Sequence, residues 1–352
     1  MASDTPARLT DLLSGTRRLA LVGLAKNTGK TETLTAILAE HAAAGRRVGV
    51  TSIGRDGEAR DVIDARIEKP RVHLAAGSLV ATTAGLLRAS AVAHERLAQT
   101  GVRTPLGEVV LARLTERGTV EVAGPSAAAD VLAVSEAMAE LGAEQVLIDG
   151  AIDRRAASSP AVADGLVMAT GAVLGHEIEH VVEVTRNAVD LVRLPRTAGG
   201  ATPTGADASA GEDGERLSLE RGLVLSGEPA EIAALLREHP RASTLLVDGA
   251  LGERFLEGLL AARAQRGGRE LRIVVGDPTK VFLSRRGPSW YERQGLVVEV
   301  QRTIELKAIT VNPVAPQSHR FDSRRLRELI GAAVPDVPVL DVLDPSYLAL
   351  AK

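Results

Sequence analysis

The chain has no cysteine in 352 residues. Disulfides, thiolate metal sites, iron–sulfur clusters and a cysteine nucleophile are therefore excluded, and the absence suits a reducing compartment. Aromatic residues are nearly as scarce, with three Phe, two Tyr and one Trp making up 2% of the chain. The core must be built from Ala, Val, Leu and Ile, and few rings remain on which unpaired bases can stack. Neither sign of charge dominates. The 42 Lys+Arg against 45 Asp+Glu leave a formal net charge of -3, so no global positive field calls for nucleic acid. Long apolar runs are missing too. The longest uncharged, apolar-leaning stretch is residues 72–87, which includes His73, Ser78, Thr82 and Thr83. It is shorter than the roughly 20 residues that span a bilayer. Residues 1–8 are polar and lack the apolar segment of a signal peptide, so a cytoplasmic protein without membrane contact is expected.

What is present is the balance of an ordinary globular protein, 45% hydrophobic and 25% charged. The length suits about two domains of roughly 100–200 residues each. Short Val/Ile/Leu runs alternate with Ala/Leu/Glu-rich stretches, which predicts an α/β fold with a mostly parallel sheet and flanking helices. Residues 18–23 read as a buried strand and 31–44 as a helix, with Leu34, Ile37, Leu38 and Ala42 at helical spacing and Gly45 as its stop. A second strand is expected at 47–52. Residues 109–115 and 119–122 flank Glu116-Arg117-Gly118 and predict a hairpin. Ser126 is expected to cap a helix reaching Leu141, followed by strands at 145–148 and 166–169. Residues 197–215 hold nothing large and apolar, which predicts a linker or long surface loop. The domain reading is thus 1–196, a linker at 197–216, and a second α/β domain at 217–352. Strands are expected there at 223–225, 245–247, 271–275, 308–311 and 337–340. Whether this half extends the first sheet or forms its own stays open. The runs ending Asp149-Gly150-Ala151 and Asp248-Gly249-Ala250 resemble one another, though Asp-Gly commonly ends strands.

The strongest chemical signal is Gly23-Leu24-Ala25-Lys26-Asn27-Thr28-Gly29-Lys30-Thr31, set between a buried strand and an amphipathic helix. That context suits a phosphate-binding P-loop of the P-loop NTPase fold. In such a loop successive backbone N–H groups wrap the phosphates, glycines let the main chain approach, and the helix N-terminus adds attraction. Gly23, Lys26, Asn27, Thr28 and Gly29 would line the nucleotide. Lys30 would reach the β and γ phosphates, and the Thr31 hydroxyl would bind Mg²⁺. The spacing departs from the usual one, because Leu24 stands where the first glycine falls and Gly23 lies one residue earlier. The longer spacing resembles the loop of dethiobiotin synthetase, among the deviant-Walker group. A chance Gly-Lys-Thr at a turn is the competing reading.

Such a site also needs an acidic residue on a neighbouring strand to hold Mg²⁺ through water. Asp149, after the run 146–148, is the candidate, against a plain Asp-Gly turn. Asp56 is the second, in Gly54-Arg55-Asp56-Gly57-Glu58, a loop that would order around Mg²⁺ or a transferred phosphate or else be a solvated turn. Arg154 and Arg155 follow Asp149 closely enough to stabilise charge, and Lys26 would act similarly. His176-Glu177-Ile178-Glu179-His180 matches the zinc-protease pattern, but no third ligand signature follows it and coincidence on a solvated helix competes. Asn312-Pro313, after the run 309–311, is compatible with a strand end near a ligand or with a simple turn.

Several segments occur together in order: 23–31, Thr51 to Glu58, Lys69-Pro70, Asp149 to Arg155, Ser159-Pro160 and Ala169-Thr170-Gly171. They resemble the P-loop subunit of the lysine 5,6-aminomutase reactivase family. The likeness covers most of 17–195 and extends more loosely through 276–280 and 311–313. It implies an ATP-dependent reactivating factor for an adenosylcobalamin-dependent aminomutase, working with a second, MutS-like ATPase subunit and using ATP and Mg²⁺ to drive release of damaged cofactor. Lys30, Asp149 and Asp56 would be the catalytic groups, with Thr31 and Asp149 on the metal. Two other readings share nucleotide binding: a dethiobiotin-synthetase-like enzyme acting on a small molecule, and a regulatory module that binds nucleotide without hydrolysing it.

Overall fold

The computed structural model describes residues 8–53, 71–151, 158–198, 209–211, 214–264, 270–316 and 318–350. The chain divides into two compact units, one of residues 1–185 with 304–352 and the other of residues 186–303.

The first unit opens with helix α1 (Leu9–Leu12), strand β1 (Arg18–Gly23), α2 (Lys30–Ala43) and β2 (Val48–Ser52). Strand β3 (Arg71–Leu74), β4 (Leu79–Thr83), α3 (Ala84–Ala89), β5 (His94–Thr104), β6 (Gly107–Leu114) and β7 (Gly118–Glu121) follow. Then come α4 (Ala128–Glu140), β8 (Gln145–Ala151), β9 (Gly165–Gly171) and α5 (Ile178–Val192), which runs into the second unit. The second unit continues with β10 (Ser209–Gly211), β11 (Gly214–Leu219), α6 (Arg221–Ser226), α7 (Pro229–Glu238), β12 (Ala242–Val247), β13 (Leu251–Gly252) and α8 (Glu253–Ala264). It closes with β14 (Leu271–Val275), β15 (Val281–Phe282), α9 (Pro288–Arg293) and β16 (Leu296–Val300). The chain then returns to the first unit with β17 (Glu305–Asn312), α10 (Ser323–Ala333), β18 (Val339–Leu340) and α11 (Pro345–Leu350).

The first unit is an α/β fold on a nine-stranded sheet ordered β18-β17-β9-β1-β8-β2-β4-β6-β5. Pairing is parallel from β18 to β4, and β6 and β5 add an antiparallel edge. Strand β1 is buried almost throughout, as a central parallel strand covered on both faces must be. Helix α2 lays Leu34, Ile37 and Leu38 into a core that includes Leu19, Leu21, Val50, Leu147, Val167 and Ala308. From β1 the chain moves toward β2 and β4, returns to β8, and then passes to β9 on the far side of β1. The carboxyl ends of β1 and β9 therefore flank the reversal of strand order, where open α/β sheets leave a crevice.

The second unit has its own sheet, β10-β11-β12-β14-β16, parallel apart from β10. Leu217, Leu245, Ile273 and Val298 pack with Phe255 and Leu259 in its core. The stretch expected as one C-terminal domain is thus split. Residues 217–303 belong to the second unit, while β17 and β18 extend the first sheet because β17 pairs along β9.

Four local expectations are corrected. Residues 109–115 and 119–122 do not form a hairpin, since β6 pairs with β4 and β5 while β7 pairs with β3 in a separate ribbon. The expected strand at 223–225 is part of helix α6, which buries Val224 and leaves Leu225 64% exposed. Ala127, not Ser126, is the N-cap of α4. Within the expected linker, Ser209–Gly211 pairs antiparallel with β11. Among the described residues no helix is long and apolar enough to cross a membrane.

Candidate functional site

Strand β1 delivers the chain to the carboxyl edge of the sheet at Gly23. The Leu24 amide then donates to the Ala169 carbonyl at 2.9 Å, continuing the pairing with β9 by one residue. The loop folds back at once. Buried Thr28 donates its hydroxyl to the Ala25 carbonyl at 3.0 Å, and a Cβ on Gly23 would lie 2.6 Å from that hydroxyl oxygen. Asn27 and Gly29 both hold left-handed backbone, with φ 65° and 86°. Gly29 also has a neighbour where a side chain would go, because an added Cβ would lie 3.0 Å from the Asn312 Cβ. Asn312 ends β17 beside Gly171, and its Nδ2 donates to the Asn27 carbonyl at 2.9 Å. The loop is therefore clamped from β17, which lies beyond β9 in the sheet.

Lys30 opens helix α2, and its Nζ pairs with the Asp149 carboxylate, each side chain being about a fifth exposed (23% and 22%). Asp149 lies opposite Leu21 of β1 and Ser52 of β2. It is a strand residue, since β8 continues to Ala151, and not the turn residue of the competing sequence reading. Thr31 follows in the first turn of α2 and is exposed, as are Lys26 and Asn27. Among the described residues, the amides of Lys26, Asn27 and Gly29 donate to no partner. Backbone N–H groups at a helix N-terminus with an ammonium beside them suit an oxyanion. The Asp149 carboxylate and Thr31 hydroxyl are the hard oxygen donors that a Mg²⁺ ion takes.

The structure thus brings Gly23, Asn27, Thr28, Gly29, Lys30 and Asp149 together, with Thr31 and Lys26 on the exposed side of the same segment. Asp56, Arg55, Arg154, Arg155 and Lys69-Pro70 lie outside the described residues. Ser159 lies in a turn ahead of β9, where its carbonyl accepts the Val162 amide. The zinc pattern does not assemble. His176 precedes α5, so it does not share a helical face with His180, and its ring packs instead on His319 with centroids 4.7 Å apart. Among the described residues no group of three His, Cys, Asp or Glu side chains could hold a metal ion. The clamp by Asn312 and the packing of Thr33 against Thr310, whose hydroxyls are 2.7 Å apart, were not legible from spacing. The Asn-Pro after an apolar run was the only trace of the first. Comparison with protein-family models, curated proteins and solved structures gave no match.

Proposed function

We propose that this chain is a P-loop ATPase that binds and hydrolyses ATP at the β1–α2 loop and serves as a reactivating factor for an adenosylcobalamin-dependent aminomutase. The observation that carries the nucleotide part is the pairing of Lys30 with Asp149 beside a loop whose amides are free to donate. The loop amides and Lys30 grip the phosphates, and Lys26 lies on the exposed rim. Thr31 and Asp149 are the residues that would hold Mg²⁺, which supplies positive charge against the phosphate oxygens. Asp56 keeps its place as a catalytic group on the 54–58 segment, which would order around Mg²⁺ or a transferred phosphate. The aminomutase and the second MutS-like ATPase subunit rest on the family likeness of the quoted segments, and a cytoplasmic setting on the polar first residues and the short apolar runs.

Calorimetry with ATP and GTP, with and without Mg²⁺, tests the first part. Lys30→Ala removes a charge-assisted contact of about 1.5–3 kcal/mol, so affinity should fall by roughly one to two orders of magnitude. Unchanged affinity refutes the site. The second part is tested by adding Mg-ATP, this chain and the second ATPase to an inactivated aminomutase. Absence of nucleotide-dependent recovery counts against it. Turnover that needs only a metabolite would point to dethiobiotin-synthetase-like chemistry, and binding without phosphate release to a regulatory module.

A further inference from the structure

We infer that the nucleoside half of the bound nucleotide rests on a ring platform of His176 and His319, backed by Phe321, at the carboxyl ends of β9 and β17; this rests on the nucleotide reading above. Rings are rare here. No Phe, Tyr or Trp precedes Phe255 in the sequence, so the first unit has only Phe321 and Tyr347, and Tyr347 is 2% exposed. Against that background three rings meet in one place. His176 packs on His319 at 4.7 Å between centroids, and His319 meets Phe321 edge-on at 4.8 Å.

Their placement follows from the strand order. His176 lies five residues beyond Gly171, the last residue of β9, and His319 lies in the loop after Asn312, the last residue of β17. Those two terminal residues are paired neighbours, and Asn312 is the residue that clamps the phosphate-gripping loop. The β17 loop is itself held. Val314 bridges Arg320, the Ala315 amide donates to the His319 carbonyl at 2.9 Å, and the Phe321 amide donates to the Pro313 carbonyl at 2.9 Å. Lys30 and Asp149 put the terminal phosphate on the β8 side of β1. The nucleoside half is then assigned to the other side, toward β9 and β17, where Asn312 meets the loop.

The chemistry of the cluster fits that occupant. Histidine and phenylalanine rings are stacking surfaces for bases. His176 is exposed and so open to a ligand. Within the cluster His319 Nδ1 lies 2.9 Å from the Ser318 hydroxyl, while its Nε2 is buried without any hydrogen-bond partner. Buried polar atoms are rarely left so.

The test compares ATP with inorganic tripolyphosphate, which keeps the phosphates and lacks the nucleoside. By calorimetry with Mg²⁺ the wild type should bind ATP more tightly than tripolyphosphate. His176→Ala should lower ATP affinity by about five- to a hundredfold, the usual effect of losing one stacking ring, and leave tripolyphosphate affinity unchanged. His176→Phe should retain most of the ATP affinity. Equal wild-type affinity for the two ligands, no loss in His176→Ala, or equal loss for both ligands each overturns the platform. Failure of wild type to bind either ligand would instead overturn the nucleotide reading itself.

Discussion

Asp149→Asn should tighten ATP binding in the absence of metal and weaken the benefit that Mg²⁺ confers. The unliganded protein already satisfies Lys30 with Asp149, so an arriving phosphate must take the ammonium from a carboxylate of its own sign. Fully exposed ion pairs contribute about 0.2–1 kcal/mol, and hydrogen bonds to charged groups about 1.5–3 kcal/mol. With the partners 23% and 22% exposed, solvent screens the pair only in part, so the competition amounts to about 1–2 kcal/mol. That corresponds to roughly a five- to thirtyfold gain in metal-free ATP affinity for the variant. The same change removes a hard oxygen ligand, so the ratio of affinities with and without Mg²⁺ should shrink by at least that factor. Calorimetry in excess chelator and in excess Mg²⁺ measures both quantities, with a thermal melt to show that the variant stays folded. If the folded variant binds metal-free ATP no better than wild type does, Asp149 does not compete for Lys30 and the assigned division of labour is refuted.

Two further outcomes are expected. Gly29→Ala places a side chain in left-handed backbone and 3.0 Å from the Asn312 Cβ, so it should cost at least about 1–2 kcal/mol and lower the urea midpoint; an unchanged midpoint would show the conformation is not required. Burial holds the His41 imidazole below its usual pKa, so its stabilising contribution is present above pH 6.5 and lost as the pH falls through the folded-state value. The urea midpoint of wild type should therefore drop more between pH 7.5 and about 5.5 than that of His41→Leu, and identical drops would dismiss the residue as a source of acid sensitivity.

The histidine prediction turns on a hydrogen-bond pattern that periodicity does not reveal. Gln145 uses its amide nitrogen on the Thr16 carbonyl at 2.7 Å, leaving its oxygen, 2.9 Å from His41 Nε2, as an acceptor. His41 Nε2 must then carry the proton, and Nδ1 is buried without a partner. A second proton would have nowhere to bond. From the sequence, His41 marks only the last turn of an amphipathic helix. Elements with a strong local signal were legible almost to the residue, β1 and β14 among them, because parallel strands covered on both faces read as near-continuous apolar runs, broken in β14 only by exposed Arg272. Strand β5 was not. It forms an edge, and its eleven residues, His94–Thr104, mix Glu95, Arg96 and Arg103 with few apolar side chains, so no alternation marks it.

The site divides in the same way. The glycine spacing, one residue longer than the usual pattern, was visible as a departure, but its consequence was not. Leu24 takes up the extra residue by bonding to Ala169 as though β1 ran on, and it buries its side chain at 8% exposure. The turn proper therefore spans 25–29, with Gly23 beneath it where the Thr28 hydroxyl needs room. Asp149 was legible because an acidic residue after an apolar run is a local pattern. Asn312 was not, since it reaches Asn27 across a sequence separation of 285 residues, after the chain has built an entire second unit. Only the pairing of β17 with β9 brings it there, and that pairing is decided by which apolar strand covers the open edge of β9. A loop whose shape depends on such a late-arriving strand should lose its geometry if β17 is displaced even while β1 and α2 stay intact, because nothing within 23–31 itself holds the Asn27 carbonyl in place.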